Sequence, residues 1–174
     1  MRQRQRSKTM TLRETLAYRP NVGIVLFNEK GEIFMARRAD LPDDIWQFPQ
    51  GGIDEGEEPE QAVWREMKEE IGTDNAIMIG KRDGWFLYDL PDNLIGKALH
   101  GKYRGQKQQW FLFRFTGQDS DIRLDTFEEI EFTTWRWVPP EDVLSGKYNL
   151  GFKKDVYERL LPDILAIYKA ASED

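Results

Sequence analysis

Residues 47–72, QFPQGGIDEGEEPEQAVWREMKEEIG, pass from an apolar segment through a loop of Gly, Asp and Glu into a short run dense in glutamate. Pro59 suits the first position of a helix, where a missing N–H is no loss, and Gly72 suits the left-handed residue just past the end. The spacing predicts a helix from Pro59 to Ile71. At about 100° per residue, that helix turns Val63, Trp64, Met67 and Ile71 inward. Glu66, Glu69 and Glu70 stand at i, i+3 and i+4, so their carboxylates converge on a neighbouring face. Arg65 can offset Glu69, but Glu66 and Glu70 repel at the same spacing, at a cost of about 0.2–0.5 kcal/mol. Acidic runs are ordinarily solvated faces with lysine partners; this one tolerates a repulsion that a divalent cation would relieve. Hard oxygen ligands with no His or Cys beside them suit Mg²⁺ or Mn²⁺.

Outward from this stretch the chain reads as alternating elements. NVGIVLFN (21–28) and EIFMAR (32–37) are apolar and β-prone, and EKG between them supplies the turn of a hairpin. IWQFP predicts a short strand, and the Gly/Asp/Glu segment after it a loop. Further strands are expected at AIMIGKR (76–82), WFLYDL (85–90), QQWFLFRF (108–115) and EFTTWRWV (131–138), all rich in aromatic and branched residues. From about Phe152 to Ala170, Val156, Leu160, Ile164 and Ile167 recur at helical spacing, while Pro162 is expected to kink or split the helix. Strands with interspersed helices give an α/β or α+β class, helices covering a mixed sheet.

The chain has 174 residues, 40% of them hydrophobic, including six Trp and ten Phe, enough for the core of one domain. No stretch approaches the roughly 20 apolar residues of a membrane span, so a membrane partner is not expected. The first 17 residues form a basic tail lacking the apolar segment of a secretory signal; residues 18–174 are expected to be a single domain, in the cytoplasm and monomeric by default. With no cysteine, disulfides, zinc–thiolate sites and cysteine nucleophiles are excluded. A net charge of −6 argues against broad nucleic-acid binding through a basic surface, and DNA is not an expected partner. An acidic chain can still take a polyphosphate when cations bridge carboxylate to phosphate.

From Gly51 the sequence follows G-x5-E-x7-R-E-U-x-E-E-x-G, with Glu57, Arg65, Glu66, Met67 as the apolar U, Glu69, Glu70 and Gly72. This resembles the Nudix box, the signature of hydrolases of nucleoside diphosphates linked to another moiety; Thr73 stands where the pattern usually has an aliphatic residue. YRPNVGIVLFN, WQFPQGGIDEGE, GQKQQWFLFRF, EFTTWRWV and FKKDVY extend the likeness over most of residues 18–157, toward the bacterial RNA pyrophosphohydrolases and the plant-type asymmetric diadenosine polyphosphate hydrolases. The resemblance implies a Nudix α/β/α sandwich.

It also implies roles. Glu66, Glu69 and Glu70 would ligate Mg²⁺ (Mn²⁺ substituting), with the backbone carbonyl near Gly51, and Glu66 is the candidate general base. Glu57 is expected to orient Arg65 or close the loop onto the helix. A further ligand is expected from EEIEFTTWRWV; Glu131 is chosen over Glu128 and Glu129 for its place before FTTWRW. For the substrate, Arg19 matches a phosphate contact, Arg38 and Lys153 match base-contacting positions, and Tyr88 and Phe152 can stack on bases. His100 is expected to be exposed and uninvolved. The segment RADLPDD and Ile45 depart from typical RNA-cleaving relatives. The activity implied is removal of pyrophosphate from 5′-triphosphorylated RNA, leaving a 5′-monophosphate and so initiating mRNA decay. The alternatives are hydrolysis of dinucleoside polyphosphates and, with less support, a non-catalytic Nudix-fold RNA-binding module.

Overall fold

The computed structural model describes residues 11–173; the first ten residues of the expected basic tail lie outside them. A single helical turn, α1 (Leu12–Thr15), leads into β1 (Ala17–Phe27), which turns through Asn28–Glu32 into β2 (Ile33–Arg38) as the expected hairpin. Then follow β3 (Trp46–Gln47), β4 (Gln50–Gly52), α2 (Pro59–Ile71), β5 (Ala76–Lys81), β6 (Phe86–Asp89), β7 (Tyr103–Phe115), β8 (Phe132–Val138), the short α3 (Pro140–Val143) and α4 (Lys154–Ser172). The sheet runs β3-β2-β1-β7-β5, with β4 on β1, β6 on β7 and β8 on β2. Its spine is the parallel pair β1–β7, in register from Tyr18↔Gly105 to Phe27↔Arg114, while the other pairings are antiparallel.

Strand alternation divides the core in two. Val22, Ile24 and Leu26 of β1, with Phe111 and Phe113 of β7, point to the face covered by Ala62, Val63, Met67 and Ile71 of α2. Val25 and Phe27, with Trp110 and Leu112, point to the face covered by Val156, Tyr157, Leu160 and Ile164 of α4. Each such side chain contributes about 1.5–3 kcal/mol by leaving water, so the sheet is fastened on both faces. Gly23 is required here, because a Cβ would strike the Trp110 ring. The result is the α/β/α sandwich that the element order and the resemblance imply.

Helix α2 has the expected bounds. Pro59 opens it, the Gln61 side-chain oxygen accepts the Glu58 N–H at 3.0 Å, and Gly72 closes it at φ 80°, ψ 5°. A side chain at 72 would also meet the carbonyl of Arg123. Trp64 is only partly buried, edge-on to Phe113 at 4.9 Å. Two expectations need correction. Gln50–Gly52, expected in a loop, forms β4 on β1. Pro162 does not split α4, which runs unbroken to Ser172. Pro162 and Glu158, whose carbonyl loses its helical donor, are both exposed, so water can take that bond.

Candidate active site

The site begins with a backbone placement. Strand β4 pairs Gly51 with Val22 and Gly52 with Asn21, which lays the Gly-Gly backbone directly beneath α2. A Cβ on Gly51 would overlap the Glu66 carboxylate, and one on Gly52 would meet the Arg19 guanidinium at 2.5 Å. Glycine lets the backbone come this close.

Arg65 organises the loop between β4 and α2. Its Nε and Nη2 donate to the two Glu57 oxygens, both at 2.8 Å, and Nη2 also donates to the Gly52 carbonyl at 2.9 Å. Glu57 in turn accepts the Asp54 N–H at 3.0 Å, closing the loop. The Arg65 hydrogen bonds hold the Glu57 carboxyl down at about 2. Through Nη1, Arg65 reaches Glu66 at 2.8 Å and Glu69 at 3.2 Å, the latter being the i, i+4 pair read from the sequence.

Glu66 and Glu70 are buried despite their charge. Burial pushes the Glu66 carboxyl up to about 7, with Glu69 and Glu131 adding to the rise and Arg65 opposing it. Glu70 is raised well above the usual carboxylate range by burial first, and then by the neighbouring Glu131 carboxylate. Its Oε2 accepts the Gln50 N–H at 3.1 Å; its Oε1 is buried with no partner. Glu131 sits one residue ahead of β8, its carbonyl accepting the Ala39 N–H at 2.8 Å. Glu129 borders the same cavity; Glu128 does not.

These carboxylates wall a cavity of about 340 Å³ together with Arg19 and Arg38. Among the described residues, no three His, Cys, Asp or Glu side chains are already gathered as a finished ligand set, and Glu66 and Glu69 are both bonded to Arg65. The chemistry of the donors nonetheless fits a divalent cation: hard oxygens, a buried carboxylate oxygen lacking any partner, and like charges facing one another.

A second cavity of about 360 Å³ adjoins the first, sharing Arg38, Gln47, Gln50, Leu99 and Gln106 with it. Its walls are more apolar: Tyr88, Phe152, Ile45, Leu41 and Leu150, with Lys153. Phe152 is 42% exposed and stands 6.2 Å from the nearly buried Tyr88, ring centre to ring centre. Lys153 is buried, donating to Gln47 Oε1 at 3.2 Å, and burial pulls its ammonium down to about 7. Arg38 is held by Asp40 through two bonds of 2.8 and 2.6 Å. Tyr157 of α4 ties this wall to the loop after β3 by accepting the Phe48 N–H at 3.1 Å. The fold thus gathers Glu66, Glu69, Glu70, Glu131, Gly51 and Arg19 around one cavity, and Tyr88, Phe152 and Lys153 around its neighbour, with Arg38 at the seam. His100 is exposed.

The floor of the site escaped the sequence reading. Gln108, fully buried, donates to Gln106 at 3.0 Å and to Asn21 and Gln50 at 3.3 Å, and accepts the Trp110 indole N–H at 2.9 Å. Gln50 completes the network by donating to Gln106 at 3.0 Å. The signal was present: in GQKQQWFLF, strict alternation turns Gln106 and Gln108 to the same side as Trp110 and Leu112. Polar residues on an inward strand face mark either a network or a ligand.

Comparison with known proteins follows the same lines. The NUDIX domain profile matches residues 17–160. A protein of Gluconobacter oxydans named RNA pyrophosphohydrolase is 58% identical over 165 residues, 95% of this chain and 96% of its own. One of the same name from Gluconacetobacter diazotrophicus is 52% identical over 161 residues, 88% of this chain and 95% of its own. The crystal structure of a C. elegans Ap4A hydrolase binary complex superposes with a TM-score of 0.61 at 20% identity, over 86% of this chain and 98% of that one, a likeness of fold alone. Nudix hydrolases use divalent cations, in keeping with the carboxylates of α2. With its box seated at the wall of the acidic cavity and its likeness running nearly end to end, the chain belongs to the Nudix family.

Proposed function

We propose that the protein is a Mg²⁺-dependent RNA pyrophosphohydrolase, removing pyrophosphate from the 5′ end of triphosphorylated RNA. The observation that carries this reading is the pair of adjoining cavities, one walled by carboxylates and the other by aromatic and aliphatic side chains, with Arg38 at their junction. A 5′-triphosphorylated chain offers the matching sequence of groups: phosphates first, then bases. The names of the relatives support the same substrate class.

Glu66, Glu69, Glu70 and Glu131 would hold the cations, with the Gly51 carbonyl contributing. When bound, these cations neutralise phosphate charge and acidify water. Arg19 binds phosphate, and Arg38, at the seam of the two cavities, contacts the first base and orients the chain. Glu66, as its carboxylate, accepts the proton of the attacking water. The new bond joins water oxygen to phosphorus, the broken bond is the phosphoanhydride, and pyrophosphate leaves. Phe152 and Tyr88 offer aromatic surface to a base, and the walls around Ile45 and Leu150 keep water from it.

The test is incubation of a 5′-triphosphorylated RNA of several nucleotides with the protein and Mg²⁺. The expected products are 5′-monophosphorylated RNA and pyrophosphate, or phosphate released successively. RNA that keeps its triphosphate in excess Mg²⁺ contradicts the reading.

A further inference from the structure

Helix α1 precedes the residues matched to the family domain, yet it reaches the site wall. Arg13 Nη2 donates to the Leu90 carbonyl and to Asp92 Oδ1, both at 2.7 Å, and its Nη1 lies 3.4 Å from Asp89 Oδ1. These partners begin the segment 89–101, which crosses from β6 to β7. Further along, Gly96 lies under Leu12, whose Cδ2 is 3.7 Å from where a Cβ would stand. Gly101 closes on Gly96 in turn, its own Cβ position 2.8 Å from the Gly96 carbonyl. Leu12, Gly96 and Gly101 thus lie side by side, with no room for a side chain between Gly101 and the Gly96 carbonyl.

The segment ends in Leu99 (φ 54°) and His100 (φ 59°), two consecutive left-handed residues that are not glycine. Left-handed backbone crowds a Cβ against the following carbonyl, so such a pair persists only where its surroundings impose it. The turn's own bonds, Gly101 N–H to Ala98 at 3.0 Å and Lys102 N–H to Leu99 at 3.3 Å, give partial support. Beside the turn, Gly101 packs on Gly96, the residue nearest Leu12 of α1. Leu99 also borders both the carboxylate cavity and the aromatic cavity, so its backbone conformation sets the wall between them.

We propose that Arg13 is a positioning residue for substrate binding. With Leu12 it holds segment 89–101, and hence the Leu99 wall, in the arrangement that seats the first nucleotide between the two cavities. The choice of RNA as assay substrate rests on the functional reading above; the mechanical claim does not.

The experiment compares wild type with Arg13→Ala, Arg13→Lys, Asp92→Asn and Leu99→Ala by amide hydrogen exchange and steady-state kinetics on triphosphorylated RNA. Arg13→Ala is expected to speed exchange of Gly101 and Lys102 about tenfold or more, leaving α2 unchanged, and to raise KM about fivefold with kcat within twofold. Arg13→Lys, which lacks the forked donor, falls between. Asp92→Asn shifts both readouts in the same direction, and Leu99→Ala raises KM without faster exchange. Unchanged exchange in Arg13→Ala overturns the proposal, as does faster exchange with KM unmoved. If wild type cleaves diadenosine tetraphosphate but no RNA, the functional reading fails, and the same KM comparison on diadenosine tetraphosphate decides the positioning role.

Discussion

Glu57 and Glu66 are gripped by one guanidinium, yet their carboxyls lie on opposite sides of the ordinary glutamate range, near 2 and near 7. The difference is in what surrounds them. Glu57 gains two charge-assisted bonds and the Asp54 N–H, whereas Glu66 is packed under the Gly51 backbone, gains one bond and faces Glu69 and Glu131. General-base contributions run to about 10²–10⁴, so Glu66→Gln should lower kcat by at least about a hundredfold while thermal melting stays near or above wild type. Near-normal kcat in that variant removes Glu66 from the mechanism.

The same burial makes cation-free stability depend on pH. A carboxyl raised in the folded state contributes stability that is complete below its unfolded value of about 4.5, and loses it as pH rises through the folded value near 7. Glu70, also raised, acts in the same sense. In chelator, Tm should therefore fall between pH 4.5 and 7, and Mg²⁺ should restore it by favouring the ionised forms. A Tm unaffected by Mg²⁺ at pH 7 or above contradicts the assignment of these carboxylates to a cation. At this scale the glutamates were legible, because spacing on a helix fixes which side chains converge. The glutamines of the floor were not, since an amide in a strand shows its role only when Asn21, Gln50 and Gln108, far apart in sequence, are brought together.

Among the elements, α2 was readable to the residue because both ends carry backbone chemistry: Pro59 needs no donor, and Gly72 adopts a positive φ. Strand β4 was hidden for the opposite reason. Its Gln-Gly-Gly has no branched or aromatic residue to signal a strand, and its pairing is imposed by β1 and by the clearance Glu66 requires. The unbroken α4 shows that a proline's cost depends on where the freed carbonyl points; here Glu158 faces solvent. The loop joining β4 to α2 depends on Glu57. A depressed carboxyl contributes stability that is complete above about 4.5 and lost as pH falls toward 2. Glu57→Gln should therefore destabilise the protein at pH 7, and the gap in Tm from wild type should close as pH approaches 2. A gap that is constant across that range would mean the Arg65 pair does not hold the loop.

For the molecule as a whole, the sandwich places α2 and α4 on opposite sheet faces while both send residues to one end of the sheet, Glu66 and Glu70 from one side and Lys153 from the start of the other. The class and layer order followed from the alternation of elements. The two-cavity site did not, because it depends on the parallel β1–β7 pairing between segments half the chain apart, which no local pattern records. That site also explains how a chain of net charge −6 can take a polyphosphate: Arg19, Arg38 and Lys153 stand opposite a carboxylate cluster that cations can neutralise. The most direct test compares kcat/KM, at equal Mg²⁺, for triphosphorylated RNA of several nucleotides, free nucleoside triphosphate and diadenosine tetraphosphate. The two-cavity account predicts that RNA is best, because it alone supplies successive bases to Arg38, Phe152 and Lys153. Equal values for RNA and nucleoside triphosphate, with diadenosine tetraphosphate far above both, would contradict it.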